Sequence, residues 1–206
     1  MKIEEYSKEK ILEDVSGLQY LFGLKEVIRS HQSRDEKDTT ESVAEHVYGM
    51  HILAQYFLTF ENQDNDWNKG LIYELITIHD IDEIETGDVI GWMKTPEDRE
   101  REVIASEKVV RKSPASMRLH VEKLLTIYKM QDCIEAKFVK AIDKLEPHIH
   151  FFREKQSVVF KQTKCTAEKA MRIKEPYMLD FQFIRKCNQV INEELIAGGY
   201  YWQESE

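Results

Sequence analysis

His79 and Asp80 stand at the head of the run HDIDEIETGD, residues 79–88, which holds one histidine and five acids: Asp80, Asp82, Glu83, Glu85 and Asp88. The run follows the apolar stretch LIYELITI. Packing alone rarely ends an apolar helix in so much negative charge, so the cluster reads either as a metal site or as a solvated helix end. Imidazole and carboxylate together suit borderline divalent ions such as Mn, Fe, Co, Ni or Zn. Two adjacent ligands make a weak site, and further ligands are expected at inward-facing helical positions. His46 lies in ESVAEHVYGM beside Val43, Val47 and Met50, and Asp143 follows Ile142 in KFVKAIDKLE. Burying even a neutral polar group without a partner costs roughly 2–7 kcal/mol, and an ionised carboxylate more. A cation offsets that cost. His46, His79, Asp80 and Asp143 would supply two nitrogens and two carboxylates, balancing a divalent charge and leaving positions open for water and a substrate oxygen. On spacing alone the bland alternatives stay open, since a helical histidine is more often a core or surface residue and a His-Asp pair is often chance.

The elements that must position these residues are helical nearly throughout. Ile11, Leu12, Val15, Leu18, Phe22 and Leu24 mark an N-terminal helix or helix pair, with Gly17 and Gly23 as candidate kinks. A polar loop, SHQSRDEKDTTE, comes next. Val43, Val47, Met50, Leu53, Ala54, Phe57 and Leu58 make an amphipathic helix for which Thr40 or Ser42 is the expected cap. NQDND is a turn, with Asp66 the expected cap of a helix through Leu71, Leu75 and Ile78. Thr95-Pro96 and Ser113-Pro114 each place a hydroxyl before a proline at a first helical position. AKFVKAIDKLE is helical, with Phe138, Ile142 and Leu145 on one face and Pro147 a candidate interruption. A last helix runs from about Pro176 to the stop at Gly198-Gly199. Strand signals are almost absent, so the expected fold is all-α, one domain over residues 1–206.

The chain has 206 residues, 42% hydrophobic and 33% charged, as expected of a soluble globular protein with one sizeable core. A net charge of −9 argues against a partner that is a nucleic-acid polymer, which needs a basic face. A small phosphate ester is not excluded, because one arginine and a metal reverse the potential locally. Cys133, Cys165 and Cys187 are far apart and odd in number, with no CxxC pair, which favours reduced thiols. The charged N-terminus lacks an apolar signal core and no segment has membrane-spanning length, so the expected location is cytoplasmic.

The order His46, His79-Asp80, Asp143 resembles the H…HD…D signature of the HD-domain metal-dependent phosphohydrolases. ESVAEH, HDIDEIETGD and KFVKAIDKLE are similar to the matching segments of the 5′-deoxynucleotidase-like branch, whose longer pattern is HDxxExxxGD. The likeness runs from the helix before Arg29 to about Glu146, giving a motif-bearing core of about 18–146 and C-terminal helices over 147–206. It implies an HD-domain helical bundle holding one divalent metal ion (Mn, Co, Fe, Ni, Zn or Mg) on His46, His79, Asp80 and Asp143. It also implies that Arg29, in LKEVIRS, binds the substrate phosphate, and that Glu83 and Asp88 take catalytic or substrate-contacting roles. Asp82 and Glu85 are claimed by no motif position and are expected to be solvated. Members of this branch place a tryptophan within a few residues of the arginine. Here Ser30, His31 and Gln32 follow Arg29, which changes the contact expected for the nucleoside and argues against a strict deoxynucleotidase.

The implied reaction is attack of a metal-activated water on a small phosphomonoester, a nucleoside or deoxynucleoside 5′-monophosphate above all. The competing readings are an HD-fold pyrophosphohydrolase, a di-iron oxygenase, and a regulatory module that binds metal or nucleotide without turnover. The oxygenase and pyrophosphohydrolase need extra ligands or basic contacts. His51 points away from His46, His120 is expected on the surface, and His148 and His150 are expected to be structural or to line the substrate cleft. Amphipathic helices and the aromatic end GGYYW suit a homodimer.

Overall fold

The structure is a computed structural model, and it describes residues 8–29, 40–64, 66–91, 93–152 and 158–203. The polar loop expected from Ser30 lies largely outside them, and so do Ser30, His31 and Gln32. Ten α-helices are described: α1 (Lys8–Leu21), α2 (Val43–Glu61), α3 (Lys69–Ile78), α4 (Glu83–Thr86), α5 (Pro96–Lys112), α6 (Arg118–Met130), α7 (Ile134–His150), α8 (Val158–Gln162), α9 (Ala167–Lys174) and α10 (Gln182–Ala197). Short 3-10 turns cover Phe22–Glu26 and Glu175–Met178. The one extended pairing among the described residues is an isolated antiparallel bridge between Ile28 and Ser42. The all-α expectation holds.

The chain divides into two compact units, with divisions within α2, within α3 and between α6 and α7. The first contains the described residues up to 29, residues 40–45 and residues 77–130. Here Ala105, Val109, Val121 and Leu124 of α5 and α6 are buried, as are Ile78 and Ile81. Gly17 is no kink: it lies inside α1, where a Cβ would stand 2.9 Å from the Lys112 carbonyl oxygen, so it permits a close approach of α1 to the end of α5. Ile11, Leu12, Val15 and Leu18, which mark α1 in the sequence, stay exposed.

The second unit contains the described residues of 46–76 and 131–203. Its core gathers Met50, Phe57, Ile72, Leu75, Phe138, Ile142, Leu145 and Ile184, each essentially out of contact with solvent. Burying one such side chain contributes about 1.5–3 kcal/mol. Trp67 meets Phe138 edge to face at 5.4 Å and Phe181 at 6.0 Å. A glutamate ties helix to helix: Glu61, at the end of α2, accepts the Phe183 and Ile184 backbone N–H groups at 2.6 and 2.9 Å, satisfying donors that the first turn of α10 leaves open.

Several boundaries differ from the sequence reading, each for a local reason. Ser42, not Thr40, caps α2 in a reciprocal box, accepting from the Glu45 N–H at 3.2 Å while its own N–H donates to Glu45. Thr95 caps α5 as expected, and with Asp98 it forms the same kind of box. Asn68 rather than Asp66 caps α3, its Oδ1 accepting the Leu71 N–H at 3.0 Å. Ser113-Pro114 starts no helix: Ser113 closes α5, donating its hydroxyl to the Val109 carbonyl, and a turn precedes α6 at Arg118. Pro147 does not interrupt α7, which continues to His150. The last helix begins at Gln182, because Pro176 starts only a 3-10 turn.

Two stability measurements follow. Glu61→Ala leaves two N–H groups of α10 without their carboxylate and is expected to cost about 1–3 kcal/mol in urea unfolding; an unchanged midpoint would contradict this role. Lys174 is fully buried, and burial, then nearby Lys144, lower its pKa from 10.5 to about 7. Between those values the unfolded chain holds a proton that the folded chain has released, so stability rises with pH across that window. Lys174→Met is therefore expected to be more stable than the wild type below pH 7, with the difference shrinking towards pH 10. A difference that does not change with pH would contradict it.

Candidate metal centre

In the first unit, backbone pairing sets Arg29. Its N–H donates to the Glu41 carbonyl at 3.0 Å, and the Val43 N–H donates to the Val27 carbonyl at 2.9 Å. The guanidinium then lies with Nε 3.5 Å from Glu41 Oε1 and Nη1 4.0 Å from Asp80 Oδ2. α3 ends at Ile78, and the chain turns tightly, Ile81 N–H donating to Ile78 O and Glu83 N–H to Asp80 O, both at 3.1 Å. Leaving the helix allows the neighbours His79 and Asp80 to converge: His79 Nε2 lies 3.0 Å from Asp80 Oδ2. Tyr128 meets the buried His79 ring edge on, with centroids 5.4 Å apart.

The single turn α4 then places Glu83 inward, and Gly87 ends it with φ of +70°, a left-handed conformation that only glycine adopts freely. Asp88 is thereby redirected into the protein. Glu83 and Asp88 are 7% and 8% exposed. Burial, reinforced by Asp80 and then Asp88, pushes the Glu83 carboxyl well above the usual range, while Arg29 and Lys94 act against that shift. Glu83 Oε2 has no hydrogen-bond partner among the described residues. A carboxyl in this setting holds a proton to higher pH than an exposed one.

The expectation that Asp82 and Glu85 are solvated is not met. Burial, then Asp80, raises Asp82 to about 6, and Ser106 donates its hydroxyl to Oδ2 at 3.2 Å. Glu85 receives Lys108 and Lys112 of α5 and the Tyr20 hydroxyl of α1, at 2.7 Å for the tyrosine. The Lys108 contact, then Tyr20 and Lys112, hold its carboxyl down at about 2. Glu85 thus fastens α4 to its neighbours, leaving Glu83 and Asp88 to face inward.

In the second unit, His46 is fully buried on α2 and Asp143 is 7% exposed on α7. His46 Nε2 lies 3.6 Å from Asp143 Oδ1, beyond hydrogen-bonding distance. The other carboxylate oxygen, Oδ2, takes Lys140 at 3.1 Å and Lys144 at 3.0 Å. The far side of the His46 ring, Nδ1, meets Glu146 Oε2 at 2.7 Å. Sequence reasoning passed over Glu146, Lys94, Lys140 and Lys144. Glu146 did carry a signal, since it follows Asp143 by three residues and so shares its helical face.

Among the described residues, the other histidines fall outside this set. His51 stacks on Tyr73 with centroids 5.6 Å apart, and His120 is exposed. His148 is structural: its Nδ1 pairs with Asn188 at 2.8 Å and its Nε2 with the Tyr201 hydroxyl at 3.3 Å, while burial holds its pKa well below the ordinary value. Tyr201, from the aromatic end, is itself buried.

Each unit therefore sets one buried imidazole Nε2 near a carboxylate oxygen. Of His46, His79, Asp80 and Asp143, three are buried and Asp80 is half-buried. An imidazole nitrogen beside a carboxylate is the donor chemistry that borderline divalent cations take. No helix among the described residues is long and apolar enough to cross a membrane.

Curated relatives include the 5′-deoxynucleotidase HDDC2 of Mus musculus, 30% identical over 125 residues that cover 60% of this chain and 60% of the relative. The Homo sapiens protein of the same name is 31% identical over 108 residues, covering 52% of this chain and 50% of the relative. The match thus spans roughly half to three-fifths of these relatives' length. The fold is shared with the crystal structure of a predicted metal-dependent phosphohydrolase from Magnetospirillum magnetotacticum MS-1, with a TM-score of 0.78, 21% identity, and coverage of 95% of this chain and 100% of that one. The HD domain model matches residues 22–181, and the chain belongs to the HD domain family.

Proposed function

We propose that the protein is a metal-dependent phosphohydrolase that releases phosphate from a small phosphomonoester, a nucleoside or deoxynucleoside 5′-monophosphate above all. In this reading His46, His79, Asp80 and Asp143 hold one divalent ion, and residues 1–206 act as a single functional domain. The observation that carries the reading is the pair of buried imidazoles, each with Nε2 close to a carboxylate oxygen, 3.0 Å in one unit and 3.6 Å in the other. Membership of the HD domain family and the likeness to the deoxynucleotidases support it.

A divalent ion held by these residues would lower the pKa of a bound water and take up charge on the phosphoryl oxygens. Arg29, whose guanidinium lies beside Asp80, meets the phosphate with a planar fork of donors. Glu83, protonated to higher pH than an ordinary carboxyl, gives its proton to the leaving oxygen. Asp88 orients the attacking water or holds a sugar hydroxyl.

Location and assembly belong to the same proposal. Cys133, Cys165 and Cys187 are all unpaired thiols, which suits the cytoplasm. Tyr48, Ile52, Tyr56 and Phe60 form an exposed apolar row at four-residue spacing along α2, which suits a homodimer.

Two measurements test the activity. Metal-stripped protein refilled with Mn²⁺ or Co²⁺ is expected to release phosphate from a panel of ribo- and deoxyribonucleoside monophosphates. Asp80→Ala should abolish that release, and Glu83→Ala should lower kcat about 10²–10⁴-fold. No release from any monophosphate by the metal-loaded wild type would point to another phosphate ester or a regulatory module. Arg29→Ala removes a charged donor and should lower kcat/KM roughly 10–100-fold while leaving metal content intact. Unchanged kinetics would remove Arg29 from substrate binding.

A further inference from the structure

One buried carboxylate beside the candidate centre has no part in the mechanism above. Glu146 is 6% exposed, and its Oε2 lies 2.7 Å from His46 Nδ1, a short contact between two buried groups. An ionised carboxylate has only acceptor oxygens, so this contact calls for the proton on Nδ1, and a neutral ring then keeps its lone pair at Nε2. Nε2 is the atom that lies 3.6 Å from Asp143 Oδ1. Asp143 and Glu146 are one helical step apart on α7, so a single helix addresses both nitrogens of the same ring.

The neighbouring helix is shaped to admit this carboxylate. Gly49 lies three residues after His46 on α2, and a Cβ there would stand 3.2 Å from Glu146 Oε1, with Cγ and Cδ at 3.7 and 3.8 Å. Glycine inside a helix is unfavourable relative to alanine. Its presence here leaves the room that the Glu146 carboxylate occupies.

We propose that Glu146 is a positioning residue for the metal centre: by accepting the Nδ1 proton of His46 it fixes the tautomer and direction of the ring and turns the Nε2 lone pair towards the cation. The inference rests on the proposed reading of His46 as a ligand. Carboxylates in this relation to a ligating histidine raise its basicity as well as orienting it.

The experiment uses the full chain, stripped of metal, with Co²⁺ alone as the probe. Titration calorimetry and the visible d–d spectrum are recorded for wild type, Glu146→Ala and Glu146→Gln, together with long-range ¹H–¹⁵N spectra of the His46 ring in the metal-free protein. The wild type should carry its His46 proton on Nδ1. Glu146→Ala should bind Co²⁺ about 10–100-fold more weakly, with an altered spectrum. Glu146→Gln keeps an acceptor for Nδ1–H and should recover part of that loss. A wild-type proton on Nε2, or a folded Glu146→Ala with unchanged Co²⁺ affinity and spectrum, would overturn the proposal. Should Glu146→Ala not fold, the wild-type tautomer and the Glu146→Gln spectrum decide it. A wild type that takes up no Co²⁺ would defeat the metal centre itself and this role with it. A wild type that takes it up, matched by Glu146→Ala, would defeat this role alone.

Discussion

Taking a carboxylate out of water costs several kcal/mol unless a partner meets it, and this chain does so at Glu83, Asp88, Asp143 and Glu146, each less than a tenth exposed. Much of the surrounding architecture answers that cost. Asp143 is met by Lys140 and Lys144 from its own helix, and Glu146 by the His46 ring. Glu83 is met less well, and burial raises its pKa instead of being fully offset. A group left in that condition is suited to moving a proton.

The helices do this positioning through their ends and their spacing. His79 and Asp80 converge because α3 has already stopped, and Asp88 turns inward because Gly87 adopts a left-handed backbone. Within a continuing helix the same neighbours would diverge. α7 works in the opposite way. It stays regular through Pro147, so residues three apart, Asp143 and Glu146, keep to one face. The acids that no motif claims serve the same end, since Glu85 fastens α4 to α5 and α1 through two lysines and a tyrosine.

The all-α class was legible because apolar spacing is a direct record of which helical face is buried. Ser42 and Thr95 were legible because a capping hydroxyl acts on its own next few residues. Ser113-Pro114 misled because the same hydroxyl can close the preceding helix, and the choice depends on packing that sequence does not carry. α8 and α9 are too short to show a period. The histidines and acids of the expected site are marked by residue type and motif. Their supporting groups, Lys94, Lys140, Lys144 and the role of Glu85, depend on long-range placement. The apolar row of α1 shows the reverse limit, for its period predicts a buried face and Ile11, Leu12 and Val15 are exposed.

The most direct test of the central claim is anomalous diffraction at the Co or Mn absorption edge, from crystals of the full chain grown with that ion. The account predicts one anomalous peak per chain, coordinated by His46 Nε2, His79, Asp80 and Asp143. A peak absent from those residues, or an ion held by only one of the two pairs, would contradict it.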